Sequence, residues 1–150
     1  CPLKHSCAGR RKGDPAAYPR STRRSGQHHR RVIAFIAHCN GRYLVRQRPG
    51  TGVNAGLWEF PNTEVTSETD PQAIAATLLP APLQNLRPLT VVHHTITNTR
   101  FHLEAFTGQL KHICRCEGEW CAPRKLVRLP WTAAHQKLLH QVGLAGKLAD

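Results

Sequence analysis

Two cysteines with five residues between them, in Cys1-Pro2-Leu3-Lys4-His5-Ser6-Cys7, have the residue type of one half of a metal site. Taken alone the spacing is weak evidence, because two thiols so placed are more often structural or simply free. Cys114, Cys116 and Cys121, with His112 nearby, suggest zinc by residue type. Their one-residue spacing is not the usual knuckle and no second pair completes the set, so a structural role is expected. His93 and His94 would form a catalytic or ligand pair only if both faced one site. Neighbours on a strand point to opposite faces, so one is expected inside and one outside. The carboxylates that might hold a hard divalent cation, Glu64, Glu68 and Asp70, all precede a helix body, Pro71 to Leu79, that contains no acid. Trp58, Trp120 and Trp131 have the surface to stack on bases, but each sits in an apolar strand or helix-start context and is expected in the core.

The elements that must position these groups are legible from pattern. Val32 to Ala37 is an apolar run of strand length, Asn40-Gly41 is a strong hairpin signal, and Tyr43-Leu44-Val45 answers it as the return strand. Leu57 to Phe60 alternates as a third strand and stops at Pro61. Thr69-Asp70-Pro71 offers a cap and a first-turn proline for a short helix that Pro80 and Pro82 prevent from continuing. Leu89 to Ile96 and Arg100 to Phe106 are rich in β formers and flank Thr97-Asn98-Thr99, which predicts a second hairpin with a polar tip placed for contact. Thr132 is positioned to cap a last helix with Ala134, Leu138, Leu139 and Val142 on one face and Gly143 at its end. Strands with helices between and after them predict an α+β domain.

Length and charge bound the rest. The 150 residues suit one domain plus a tail. The net charge is +12, and residues 1 to 31 hold nine Lys/Arg against Asp14 alone, leaving about +4 for everything after. Arginines outnumber lysines in that stretch, and guanidinium forks suit phosphate oxygens. Six cysteines argue little for a disulfide scaffold, because 31 residues separate Cys7 from Cys39 and the opening residues do not have the charged-then-apolar pattern of a secretory signal. No apolar run approaches a membrane span, so an intracellular, cytoplasmic protein is expected. A chain without methionine that opens on half a cysteine set is expected to be a processed form or part of a longer protein.

CPLKHSC, the basic stretch and Tyr18-Pro19, then Arg48-Pro49, then Gly56-Leu57-Trp58-Glu59-Phe60-Pro61-Asn62, then His94-Thr95-Ile96-Thr97 form an ordered set. In order and spacing it resembles the adenine DNA glycosylases of the MutY family, which remove adenine mispaired with 8-oxoguanine. The resemblance implies that Cys1 and Cys7 are the third and fourth ligands of a 4Fe-4S cluster whose other two lie upstream. It places Lys4, His5, Arg10 and Arg11 against DNA phosphates, and Lys12 of the same basic stretch is expected to join them. It divides the chain into the end of the cluster loop (1–7), a basic interdomain linker (8–29), a Nudix-like lesion-recognition domain of mixed sheet and flanking helices (30–145) and a tail (146–150).

The catalytic residues of such a glycosylase lie upstream, so the chain alone is expected to be inactive. The implied partners are double-stranded DNA with 8-oxoguanine opposite adenine and the helical glycosylase domain of the same protein, with no membrane and as a monomer. The family reads the lesion with a Phe-Ser-His turn; the matching positions here are Ile96, Thr97 and Asn98, followed by Thr99. Relative to guanine, 8-oxoguanine carries a hydrogen on N7, and the Thr97 hydroxyl can accept it. The alternatives are a Nudix pyrophosphohydrolase acting on oxidised nucleotides, against which the acid-free helix argues, and a basic interaction module without lesion preference. Fold alone does not choose between them.

Overall fold

A computed structural model describes residues 2–15, 26, 28–66 and 68–143 of the chain. Cys1, most of the basic stretch from 16 to 27 and the tail beyond 143 lie outside the described residues. The centre of the fold is the apolar run, now strand β1 (His28–Cys39), whose residues 32–37 are buried, as a strand covered on both faces must be. Asn40 and Gly41 both take positive φ, 47° and 71°, the geometry that an Asn-Gly hairpin turn requires. They return the chain as β2 (Arg42–Gln47). The third strand is short, β3 (Trp58–Glu59).

Directly after Pro61 the chain makes a strand that the sequence pattern does not announce, β4 (Asn62–Val65). It pairs antiparallel with the first half of β1, from Arg31↔Val65 to Ala34↔Asn62, an edge that β2 leaves open by pairing with β1 at His38 and Cys39. Helix α2 (Pro71–Leu78) follows the predicted start: the Asp70 carboxylate accepts the Gln72 N–H at 3.0 Å. The long hairpin is β5 (Gln84–Ile96) and β6 (Thr99–Gln109). β6 also runs parallel to β1 over its whole length, from His28↔Thr99 to His38↔Gln109. That partner draws His28 and His29 into β1, two residues inside the stretch expected as linker. β7 (Glu119–Cys121) adds to β2, and α3 (Pro123–Leu126) and α4 (Ala133–Gln141) close the domain. Before them all, Ala8–Arg11 makes one helical turn, α1.

The sheet order is β3-β2-β1-β6-β5, with β4 on β1 and β7 on β2. This is the mixed sheet with flanking helices expected of an α+β fold. Even-numbered β1 residues Val32, Ala34 and Ile36 pack with Leu126, Leu138 and Leu139 of α3 and α4. The odd-numbered Ile33, Phe35 and Ala37 pack with Ile74, Ala75 and Leu79 at α2. Each fully buried Ile, Leu or Phe among them contributes roughly 1.5–3 kcal/mol. Trp58 and Trp131 pack on the first core and Trp120 on the second, as their contexts predict. The first residues of β1 remain exposed or half-buried, and the tip of the β5–β6 hairpin lies beside them. At that end both faces of the sheet are open.

Candidate nucleic-acid interface

The β5–β6 turn is tighter than expected. Ile96 pairs with Thr99, so Thr97 and Asn98 alone make the tip and Thr99 is the first residue of β6. A two-residue hairpin turn needs positive φ at its first position, and Thr97 supplies it at 53°. For a β-branched residue this is an outlier and costs roughly 1–2 kcal/mol. Thr97 is exposed, whereas Ile96, Asn98 and Thr99 are half-buried. Asn98 braces the tip: its Nδ2 donates to the Gly26 carbonyl at 2.8 Å, and its carbonyl accepts the His28 N–H at 3.0 Å. Ile96, Thr97 and Thr99 line one cleft, on the α4 face of the sheet, with a volume of about 660 Å³. That is the size range of small-molecule sites.

Polar groups in the lining of this cleft come from four separate segments, β3, β4, β5 and the start of α4. The predicted split of the histidine pair is found: His93 is exposed, and His94 is half-buried, its ring stacked on Phe101 with centroids 4.8 Å apart and planes 12° apart. Burial, with a smaller push from the Lys137 charge, holds His94 below the ordinary histidine range. Thr132 occupies the N-cap of α4, but its side chain makes no capping bond. Its hydroxyl sits in the cleft wall instead, 4% exposed. The His94 Nδ1 and the Thr132 Oγ1 are both buried without a hydrogen-bond partner. Leaving such an atom unpaired costs about 1–3 kcal/mol, so a hydrogen-bonding ligand or water entering the cleft finds two groups to satisfy.

Beside them His135 is 4% exposed. Its Nδ1 accepts the Phe60 N–H at 3.1 Å, and its Nε2 lies 3.5 Å from the Asn62 Nδ2. Burial lowers its pKa to about 4, although Glu59 pulls it upward, so the ring is neutral at physiological pH. Glu59, also buried, receives the Arg46 Nε at 3.0 Å and the Arg48 Nη1 at 2.8 Å. Burial pushes this carboxyl up, but the hydrogen bonds from Arg48 and Asn62 and the Arg46 charge outweigh it and hold it low. Arg48 Nε in turn donates to the Val53 carbonyl at 3.1 Å, which fixes the loop forming the cleft's other rim.

The remaining predicted residues lie away from this cleft's lining. Lys4, Arg10, Arg11 and Lys12 are exposed, the last three on or just after α1. Cys7 is a half-buried free thiol at the N-cap of α1; Cys1 lies outside the described residues. Residue-type reasoning missed His135, Thr132 and Asn62. His135 did carry a signal, because it stands three, four and seven residues before Leu138, Leu139 and Val142, on the apolar stripe itself.

A family model described as the NUDIX domain matches residues 32–141, from β1 to the end of α4. The chain belongs to the NUDIX domain family. Among solved structures, this NUDIX domain is similar to the C-terminal domain of mouse MUTYH, which was solved in complex with human PCNA. They are 21% identical with a TM-score of 0.63, over 76% of this chain and 87% of that one. It is equally similar to the E. coli ORF135 protein, 23% identical with a TM-score of 0.63, over 83% of this chain and 96% of that one. A MutT protein from Methanosarcina mazei Go1 follows at 13% identity and a TM-score of 0.62, over 83% and 98%. At such identities the likeness speaks for the fold. No helix among the described residues is long and apolar enough to cross a membrane.

Proposed function

We propose that this NUDIX domain recognises 8-oxoguanine opposite adenine in duplex DNA, as the lesion-reading part of an adenine DNA glycosylase whose helical catalytic domain lies upstream. The observation that carries the reading is Thr97, an exposed β-branched residue held at φ 53° on the rim of a cleft with two unpaired polar atoms in its lining. Glycine or asparagine would make the same turn with less strain. Strain kept at a contact point is a pointer to function, and here it is kept at an exposed residue that carries a hydroxyl. A hydroxyl accepts the N7 hydrogen of the lesion, which guanine lacks. Asn98, tied to Gly26 and His28, holds the tip while Thr97 reads.

The acid-free helix supports recognition over hydrolysis. α2 carries no Asp or Glu, so it offers no oxygen ligands for the divalent cations that pyrophosphate cleavage uses. Lys4, Arg10, Arg11 and Lys12 would meet phosphates outside the lesion. Cys1 and Cys7 supply a thiol pair, which fits one half of a 4Fe-4S cluster and would hold it against the DNA-facing basic turn. Lesion reading does not run through that cluster.

Duplex binding tests the reading. Thr97→Val keeps the shape and removes the hydroxyl; one buried hydrogen bond, on the order of 1–3 kcal/mol, corresponds to a loss of about 5-fold to 150-fold in preference for 8-oxoguanine over guanine opposite adenine. If Thr97→Val and Asn98→Ala both leave that preference unchanged, the reading loop is elsewhere. Magnesium-dependent cleavage of oxidised nucleoside triphosphates that disappears with Glu64→Gln or Glu68→Gln would replace recognition with hydrolysis.

A further inference from the structure

The same end of the sheet has a second open face, beyond the reach of α2. There a groove of about 760 Å³ runs between β4 and the β5–β6 hairpin. Strand register orders its side chains in rows across β1, β6 and β5. The row nearest the tip is His29, Arg100 and Thr95; the next is Arg31, His102 and His93. In the third row Glu104 stands between Ile33 and Val91. Two residues along a strand separate one row from the next, about 7 Å.

Charge is polarised along these rows. Arg31 gives Glu104 a two-pronged bond, with Nη2 to Oε2 at 2.9 Å, and His102 Nε2 lies 3.4 Å from the same carboxylate. On the β4 side Arg30 pairs with Glu64 at 3.0 Å, and Glu68 lies on the same groove wall. The three arginines and three glutamates of the groove cancel, so its net charge is set by its imidazoles. His93 and His102 stand edge to face with centroids 4.7 Å apart. Arg100, His29 and His93, all exposed, have no carboxylate within ion-pair distance among the described residues. Cations placed directly opposite one another across strands destabilise a sheet, and an anion lying between them reverses that effect.

We propose that this face is a phosphodiester-binding track. Arg100 with His29 takes one phosphate, and His93 with His102 takes the next, along the DNA strand whose base is presented to Thr97. The spacing of the rows matches that of consecutive phosphates on one strand, and a line of cations suits a polymer better than a single small anion. Glu104 bounds the track on the side away from the tip, and Glu64 and Glu68 bound it on the β4 side. The choice of DNA as the polymer rests on the lesion reading; the phosphate chemistry does not.

The 150-residue chain is titrated against undamaged and 8-oxoguanine-containing duplexes at several salt concentrations. The expected result is a salt dependence of the same slope for both duplexes. His93→Gln/His102→Gln and Arg100→Gln should each weaken binding to both equally, lower the salt slope by about 0.9 for each phosphate no longer neutralised, and leave the preference between duplexes intact. Imidazole NMR signals of His93 and His102 should move on adding duplex, and that of His112, exposed beyond the other end of β6, should not. Variants that bind with unchanged slope, or imidazole signals that stay still, overturn the track. A wild-type chain without lesion preference, whose track variants still weaken binding, overturns the lesion reading and leaves the track standing.

Discussion

Protonation of His135 should destabilise the domain between about pH 6.5 and pH 4. The ring is 4% exposed, and its Nδ1 must be unprotonated to accept the Phe60 N–H at 3.1 Å. Adding a proton there breaks that bond and places a cation in a site flanked by the Arg46 and Arg48 charges. Burial, the largest cause, lowers the folded pKa from 6.5 to about 4. Between these values the unfolded chain binds the proton and the folded chain does not. The contribution is therefore complete above the unfolded pKa and lost as pH falls towards the folded one. A gap of about 2.5 units at 1.36 kcal/mol each gives about 3 kcal/mol, a large share of the roughly 5–15 kcal/mol of a typical domain.

The assay is urea unfolding across that range, comparing the wild-type chain with His135→Asn. The asparagine amide oxygen can accept the Phe60 N–H and does not titrate. At neutral pH the variant should be less stable by about 1–2 kcal/mol, because the smaller side chain leaves space behind. On acidification the wild-type curve should fall further, until the two converge or cross. His38 and His94 are also lowered, chiefly by burial, and act in the same direction, but they are present in both proteins and drop out of the difference. Glu59 and Glu104 are held low, so their stabilisation is complete above the ordinary carboxylate range and is lost as pH falls from there through their folded values. Parallel stability profiles for wild type and His135→Asn would refute the account.

Two further substitutions test the cleft's construction. Thr97→Gly relieves the strain at φ 53° and should raise stability by up to about 1 kcal/mol in chemical denaturation, while lowering preference for lesion-containing duplex in the same preparation. Glu59→Gln leaves Arg46 and Arg48 facing a neutral amide where both had a buried carboxylate; it should cost about 3 kcal/mol and increase hydrogen exchange in the 50–56 loop that Arg48 braces through the Val53 carbonyl.

Local signals carried most of the fold. Asn40-Gly41 dictated its turn because both residues tolerate positive φ, and Asp70-Pro71 opened α2 because one side chain caps and the other is already shaped for a first turn. β4 and β7 escaped detection for a common reason. Asn-Thr-Glu-Val and Glu-Trp-Cys have no alternation long enough to read, and each becomes a strand because an existing edge, on β1 or β2, lacks a partner there. The length of β1 was hidden in the same way, since His28 and His29 extend only because β6 runs beside them.

The site divides along similar lines. The exposed tip was legible, because a polar turn between two β-rich stretches is a local pattern. The cleft floor was not, because Asn62, His94, Thr132 and His135 come together through the pairing of β4 with β1 and the packing of α4 on β5. A threonine before an amphipathic helix reads as a cap, and in isolation that inference is sound. What redirects Thr132 is the cleft: the hydroxyl that would satisfy a backbone N–H at α4 stays unpaired in its lining, which also holds a second unpaired atom on His94. Two buried polar atoms left unsatisfied in one cleft, with a strained threonine on its rim, are costs with no structural return within the domain. A ligand that supplies hydrogen bonds in the cleft would offset the first two, and the third presents the residue that would meet it.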